Sequence, residues 1–249
     1  MKISVITCTY NSEETVESAI KSFISQDYPN KELVIIDGTS SDGTLQIIDK
    51  YKKYISVVLS EKDDGIYNAM NKGIARTTGE VFGFLHSDDV FADSKVLSSI
   101  GDKFVQEDAD LCYGDLVYTD SSGEKVIRTW KSGSYKAEKF RKGWMPPHPT
   151  VYTKRELVES LGTFNEDFRI SGDYEFLLRY MFFNHLKVHY IPTVLVKMRV
   201  GGESNQSIKN RLKANSEDRK AWKINGQNPF PATSLKPARK LFQFLNREF

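Results

Sequence analysis

The chain has 249 residues, 39% of them hydrophobic and 27% charged, with a formal net charge of +2. That length suits one large α/β domain, or a domain with an appendage, and the composition excludes wholesale disorder. No apolar run approaches the ~20 residues of a membrane span, and the N-terminus lacks a signal-peptide pattern. Two cysteines, Cys8 and Cys112, supply neither a disulfide framework nor a metal cluster and read as buried thiols of a reducing cytoplasm.

Strand and helix patterns alternate through the first half. Lys2 to Thr7 reads as a strand. The next helix carries Val16, Ala19, Ile20, Phe23 and Ile24 on one face, and Asn11 with Glu14 three residues on predicts its N-cap. Glu32 to Ile36 is the next strand, and Ser41 or Asp42 can cap a helix bearing Leu45, Ile48 and Tyr51. Ile55 to Leu59 predicts a third strand, Ile66 to Ala75 a short helix capped at Asp64-Gly65, and Val81 to Leu85 a fourth strand. This order argues for βαβ units and a mostly parallel sheet flanked by helices.

Past Asp89 the regularity breaks. Residues 110–120 and 125–130 predict antiparallel strands joined at Ser121-Ser122-Gly123. Residues 133–149 form a long aromatic, Pro/Gly-rich stretch, expected to be functional or mobile. A strand at Thr150 to Thr153, helices over 154–161 and 174–183, and a strand-rich run from Val188 to Val200 follow. From Gln206 to Phe249 there are ten Lys/Arg against three Asp/Glu, a local +7 that leaves −5 on the rest. A basic end on an acidic body suggests an anionic partner; no nucleic-acid-binding motif accompanies it, and a membrane surface is the better candidate.

Three polar clusters follow predicted parallel strands: Thr7 to Asn11, Asp37 to Thr44, and His86-Ser87-Asp88-Asp89. Strand C-termini share one sheet edge, so the clusters should converge on a single crevice. Neither G-x-G-x-x-G nor a P-loop is present, which argues against NAD chemistry and P-loop hydrolysis. An aromatic ring (Tyr10), a carboxylate (Asp37) and an adjacent acidic pair (Asp88, Asp89) suit a nucleoside diphosphate held with a divalent cation.

These segments, with Ser60 to Gly73, Gly79, Gly162-x-Phe164-Asn165-Glu166, Ser171-Gly-Asp-Tyr-Glu175 and Gly201-Gly202-x-Ser204, resemble family 2 glycosyltransferases of the GT-A fold, the group that builds bacterial surface polysaccharides. The resemblance covers roughly the first 205 residues. It implies a GT-A domain over 1–205 (nucleotide-binding half 1–110, acceptor half 111–205) and a basic helical tail over 206–249. It also implies that Thr9, Tyr10, Asp37, Asp64, Asn71, Lys72, Ser87 and Asp88 meet the donor nucleotide, that Asp89 holds Mn²⁺ or Mg²⁺, and that Asp173 is the catalytic base, with Glu175 the lesser candidate. One departure stands out. The family's first acidic place is His86 here, read as a polar filler, while His148 is read as orienting substrate.

The implied activity is inverting transfer of a sugar from a nucleotide-diphosphate donor, expected to be UDP-linked, to a lipid-linked glycan. The enzyme would work in the cytoplasm on the inner face of the membrane. Over residues 236–249, Ala238, Leu241, Leu245 and Phe249 share a helical face opposite Arg239, Lys240 and Arg247, which suits either an interfacial helix or packing on the domain. Nucleotidyltransfer, which would need a Gly-rich basic loop near the N-terminus, and a non-catalytic nucleotide-sugar binder are the competing readings.

Overall fold

The computed structural model describes residues 1–200, 208–230 and 232–234. Strands β1 (Ile3–Thr9), β2 (Lys31–Asp37), β3 (Val57–Ser60) and β4 (Val81–Phe84) run parallel in the order β3-β2-β1-β4. Helices α1 (Val16–Ile24), α2 (Thr44–Lys50) and α3 (Ile66–Ile74) make the crossovers. Every residue of β1 is buried. Its alternate side chains feed two cores, Ile3 and Val5 packing with α1 and Ile6 and Cys8 packing with α3. A strand covered on both faces has little room for exposed or charged side chains, which is why ISVITCT lacks the alternation of a half-exposed strand and its polar members are small hydroxyls.

The second half extends the same sheet. Strand β5 (Asp89–Phe91), helix α4 (Val96–Gln106), the hairpin β6 (Leu111–Thr119) and β7 (Val126–Trp130), and helix α5 (Glu138–Arg141) lead to β8 (Tyr152–Lys154) and α6 (Leu157–Leu161). Helix α7 (Gly172–Leu177) runs into a π-type turn over Leu178–Phe182, followed by β9 (Val188–Arg199) and α8 (Ile208–Ile224). The sheet continues from β4 through β8, β6 and β9 to β5; β8 is antiparallel to β4 and β6, β9 parallel to β6, and β5 antiparallel to β9. The predicted antiparallel pair is the β6–β7 hairpin.

Several expectations need correction. Asn11 does not cap α1, which starts five residues later behind Thr15. Its backbone is left-handed (φ 47°) and its Oδ1 instead accepts the Ser41 N–H at 2.9 Å. Residues 133–149 are packed: Phe140 and Trp144 are buried, the Trp144 indole donates to Ser132 O at 3.0 Å, and Phe140 meets Tyr174 of α7. Burying that aromatic area ties the loop to the domain. The stretch from residue 206 does not begin as a separate tail, because α8 buries Ala221 and Trp222 completely and Trp222 donates to Tyr174 Oη at 2.9 Å. The amphipathic pattern expected over 236–249 lies outside the described residues. Among the described residues no helix is long and apolar enough to cross a membrane.

Candidate active site

The sheet register sets Thr9 beside Asp37 at the C-terminal ends of β1 and β2. Gly38 N–H donates to Thr9 O at 2.9 Å, Asn11 N–H to Ser40 Oγ at 2.8 Å, and Ser12 N–H to Thr44 Oγ1 at 2.8 Å. From the end of β4, the Ser87 hydroxyl lies 2.9 Å from that of Ser12. All three polar clusters therefore meet on one edge. Tyr10 stands at the mouth with 63% of its surface exposed, while Thr9 is buried with Oγ1 unpartnered.

Asp37 occupies a different place from the one expected. It has no exposed surface, and its carboxylate accepts Ser40 N–H (3.0 Å), Ser40 Oγ (2.5 Å) and Ser60 Oγ (2.7 Å). Such a carboxylate organises the 38–44 loop and has no face left for a ligand. The side chain that does reach the mouth is Asp63, which the sequence reading passed over.

The acidic pair after β4 splits in role. Asp88 is half-buried, whereas Asp89 turns inward as the first residue of β5, with no exposed surface and both carboxylate oxygens unpartnered. Burial and the neighbouring Asp88 push the Asp89 carboxyl well above the usual carboxylate range, against the pull of Arg199. A buried carboxylate without a donor fits a divalent cation, which takes one or two carboxylates and completes its shell with phosphate oxygens and water. Among the described residues no three His, Cys, Asp or Glu side chains cluster. His86 is not placed as a third ligand; burial pulls its imidazole below the usual value, against Asp88. His148 packs on Phe84 and Phe164, 6.1 Å between ring centroids from His86, with neither ring nitrogen bonded. Burial, and His86 beside it, pull His148 down to about 3, so it is neutral at physiological pH.

Asp173 sits in the first turn of α7, which follows the loop over 169–171. Glu175 is 2% exposed and paired with Arg179 through two 2.9 Å bonds, which removes it as a base. Asp173 is half-buried, with Oδ1 3.5 Å from the Tyr67 hydroxyl. Two distant elements hold this loop. Tyr67 of α3 lies so close over Gly172 that a Cβ there would come 2.7 Å from its ring, and its hydroxyl donates to Ile170 O at 2.8 Å. From α8, the buried Glu217 carboxylate accepts the N–H groups of Arg169, Ile170 and Ser171 at 3.2, 2.9 and 2.8 Å. Burial pushes the Tyr118 phenol of β6 up, Arg128 opposes this, and the charges of Asp89 and Asp173 add to the rise.

The expected contacts of α3 are corrected. Asn71 donates to Phe164 O (2.9 Å) and Glu166 (2.7 Å) and accepts Phe164 N–H (2.9 Å), and Asn68 donates to Glu166 at 3.0 Å. That face is a seam between the two halves rather than a wall of the crevice. Lys72 braces the loop after β3, 2.9 Å from Glu61 and donating to Lys62 O at 2.7 Å. Asp64 is exposed, and its main chain meets Asn68 and the Arg169 guanidinium. Glu217 was missed because it sits in a basic run. The available signal was that Glu217 and Asp218 are two of the three acids beyond residue 205, and both are buried.

The profile of Glycosyl transferase family 2 matches residues 4–165. The chain belongs to that family. It is 26% identical over 208 residues to a PGL/p-HBAD biosynthesis glycosyltransferase of Mycobacterium bovis (strain BCG / Pasteur 1173P2), covering 81% of this chain and 78% of the relative. It is 25% identical to the putative teichuronic acid biosynthesis glycosyltransferase TuaG of Bacillus subtilis (strain 168), covering 74% and 80%. Among solved structures, S. aureus TarS 1-349 in complex with UDP-GlcNAc superposes with a TM-score of 0.72 at 19% identity, covering 99% of this chain and 72% of that one. The fold is the GT-A fold that the sequence led us to expect, and this family 2 protein is a glycosyltransferase.

Proposed function

We propose that this glycosyltransferase moves a hexosyl or N-acetylhexosaminyl group, with inversion, from a UDP-linked donor to a hydroxyl of a lipid-linked oligosaccharide in surface-polysaccharide assembly. What supports the reading is the meeting of three polar clusters on one sheet edge, with the Tyr10 ring exposed at its mouth and the Asp89 carboxylate buried without a hydrogen-bond donor. The names of the mycobacterial and Bacillus relatives support a glycan-building role, and the UDP-GlcNAc complex of TarS supports the donor class.

In this reading Tyr10 offers its exposed ring to the base, and the loops ordered by Asp37 and Ser87 shape the crevice around ribose and diphosphate. Asp88 and Asp89 would hold Mn²⁺ or Mg²⁺, which when bound offsets charge on the diphosphate. Asp173 takes the acceptor hydroxyl proton as the acceptor oxygen bonds to the anomeric carbon. The bond from that carbon to the diphosphate breaks, its electrons leave with the nucleoside diphosphate, and an α-linked donor gives a β-linkage.

The test is UDP release with a panel of UDP-sugars, beside thermal melting with UDP and Mn²⁺. One sugar should support release, and UDP with Mn²⁺ should raise the melting temperature. Asp89→Ala should abolish the metal-dependent part of that rise. Absence of release with every donor, together with no nucleotide-induced stabilisation, would overturn the proposal. Equal stabilisation with and without EDTA would remove the metal from it.

A further inference from the structure

The mouth of the crevice contains a carboxylate that is not part of β1, β2 or β4. Asp63, in the loop between β3 and α3, reaches back over the end of β2. A Cβ built on Gly38 would lie 2.6 Å from Asp63 Oδ2 and 3.4 Å from Tyr10 Cδ2. The absence of a side chain at 38 is what lets Asp63 occupy this position beside the Tyr10 ring. The carboxylate is also fixed there. Its Oδ1 accepts the N–H of Gly65 at 3.0 Å, and Gly65 holds the turn in a left-handed conformation (φ 115°) that an L side chain rarely adopts. Oδ2 has no hydrogen-bond donor among the described residues. It therefore presents an open acceptor next to an exposed aromatic face, while the nearby Asp37 carboxylate is saturated by Ser40 and Ser60.

We propose that Asp63 is the residue that reads the nucleobase, its Oδ2 accepting a ring N–H from a base packed on Tyr10. The inference rests on the nucleotide-donor reading above and adds a selectivity to it. A carboxylate is an acceptor only, so it suits a base that presents a ring N–H, as uracil does at N3. Cytosine has the same size and stacks as well, but its N3 is an acceptor and would face an anionic oxygen. Leaving that pair unbonded and like-poled in a partly desolvated mouth disfavours CDP. Uridine selection is thereby assigned to the β3–α3 loop rather than to the end of β2.

The experiment compares affinities of UDP and CDP for the full chain by titration calorimetry, in wild type, Asp63→Asn and Asp63→Ala, with thermal melting to show that each variant is folded. Wild type should prefer UDP by roughly tenfold or more, the scale of a charge-assisted hydrogen bond. Both variants should lose UDP affinity by about that factor and narrow the UDP:CDP ratio, with CDP binding held or improved. Gly38→Ala, which crowds the carboxylate without removing it, should lower UDP affinity in the same direction. Wild-type UDP binding with an unchanged UDP:CDP ratio in folded Asp63 variants would overturn the assignment and leave the donor reading standing. Failure of wild type to bind either nucleotide would overturn both.

Discussion

The strand-end crevice and the segment that carries Asp173 are built differently. The crevice beyond β1, β2 and β4 is made by neighbours in the sheet: Thr9, Asp37 and Ser87 sit at or just beyond strand ends, and short loops bond to one another within one edge. The loop from Arg169 to Ser171, which leads into Asp173 at the start of α7, has no strand to define it. Its position comes from Tyr67, about a hundred residues earlier, and Glu217, more than forty later. A strand-end site survives as long as the sheet does, whereas a loop held by remote side chains can be loosened one contact at a time. Chemistry and nucleotide binding should therefore separate under mutation.

Asp173→Asn makes the widest separation. It should cut transfer by roughly 10²-fold or more, as general-base losses do, with UDP affinity nearly unchanged. Glu175→Gln should act mainly on stability, since it weakens a buried pair with Arg179, and a single-turnover assay beside urea melts distinguishes the two. A larger rate loss for Glu175→Gln than for Asp173→Asn would reverse the assignment of the base.

Glu217→Ala comes next. It leaves three N–H groups without their acceptor and should cost about 3 kcal/mol of stability, read from denaturant melts. Turnover should fall while UDP affinity stays near wild type, and Glu217→Gln should recover part of both losses. Equal losses of UDP affinity and turnover would show that the crevice depends on α8 as much as the loop does, and the contrast would collapse.

At neutral pH the smallest effect sits where the two regions join, at His148. Its folded-state value of about 3 lies below the ordinary 6.5, so between those limits the unfolded chain binds a proton that the folded chain refuses. Stability from keeping His148 neutral is complete above pH 6.5 and declines as pH falls toward 3, by roughly 1.4 kcal/mol per pH unit. The slope of unfolding free energy against pH should be shallower in His148→Gln than in wild type, and parallel curves would show that His148 is not the group responsible.

The local pattern determined much of this protein. Apolar runs ending in polar clusters marked the parallel strands and their shared edge, because residues of a strand buried on both faces have little freedom to be polar, and the ordered motifs carried the family. Tertiary structure decided which polar side chains at that edge are available. Asp37 and Asp63 look alike in sequence, yet one is enclosed by Ser40 and Ser60 while the other fills the space beside Gly38. Asn71 is bonded to the 164–166 segment and Lys72 to the β3–α3 loop, which no periodicity reveals. Glu217 lies in a basic stretch and becomes the acceptor for the Asp173 loop only when α8 docks on α7. Strand and helix follow from short-range periodicity, but whether a carboxylate is saturated or open depends on donors brought from elsewhere in the chain, and those contacts exist only once the chain has folded.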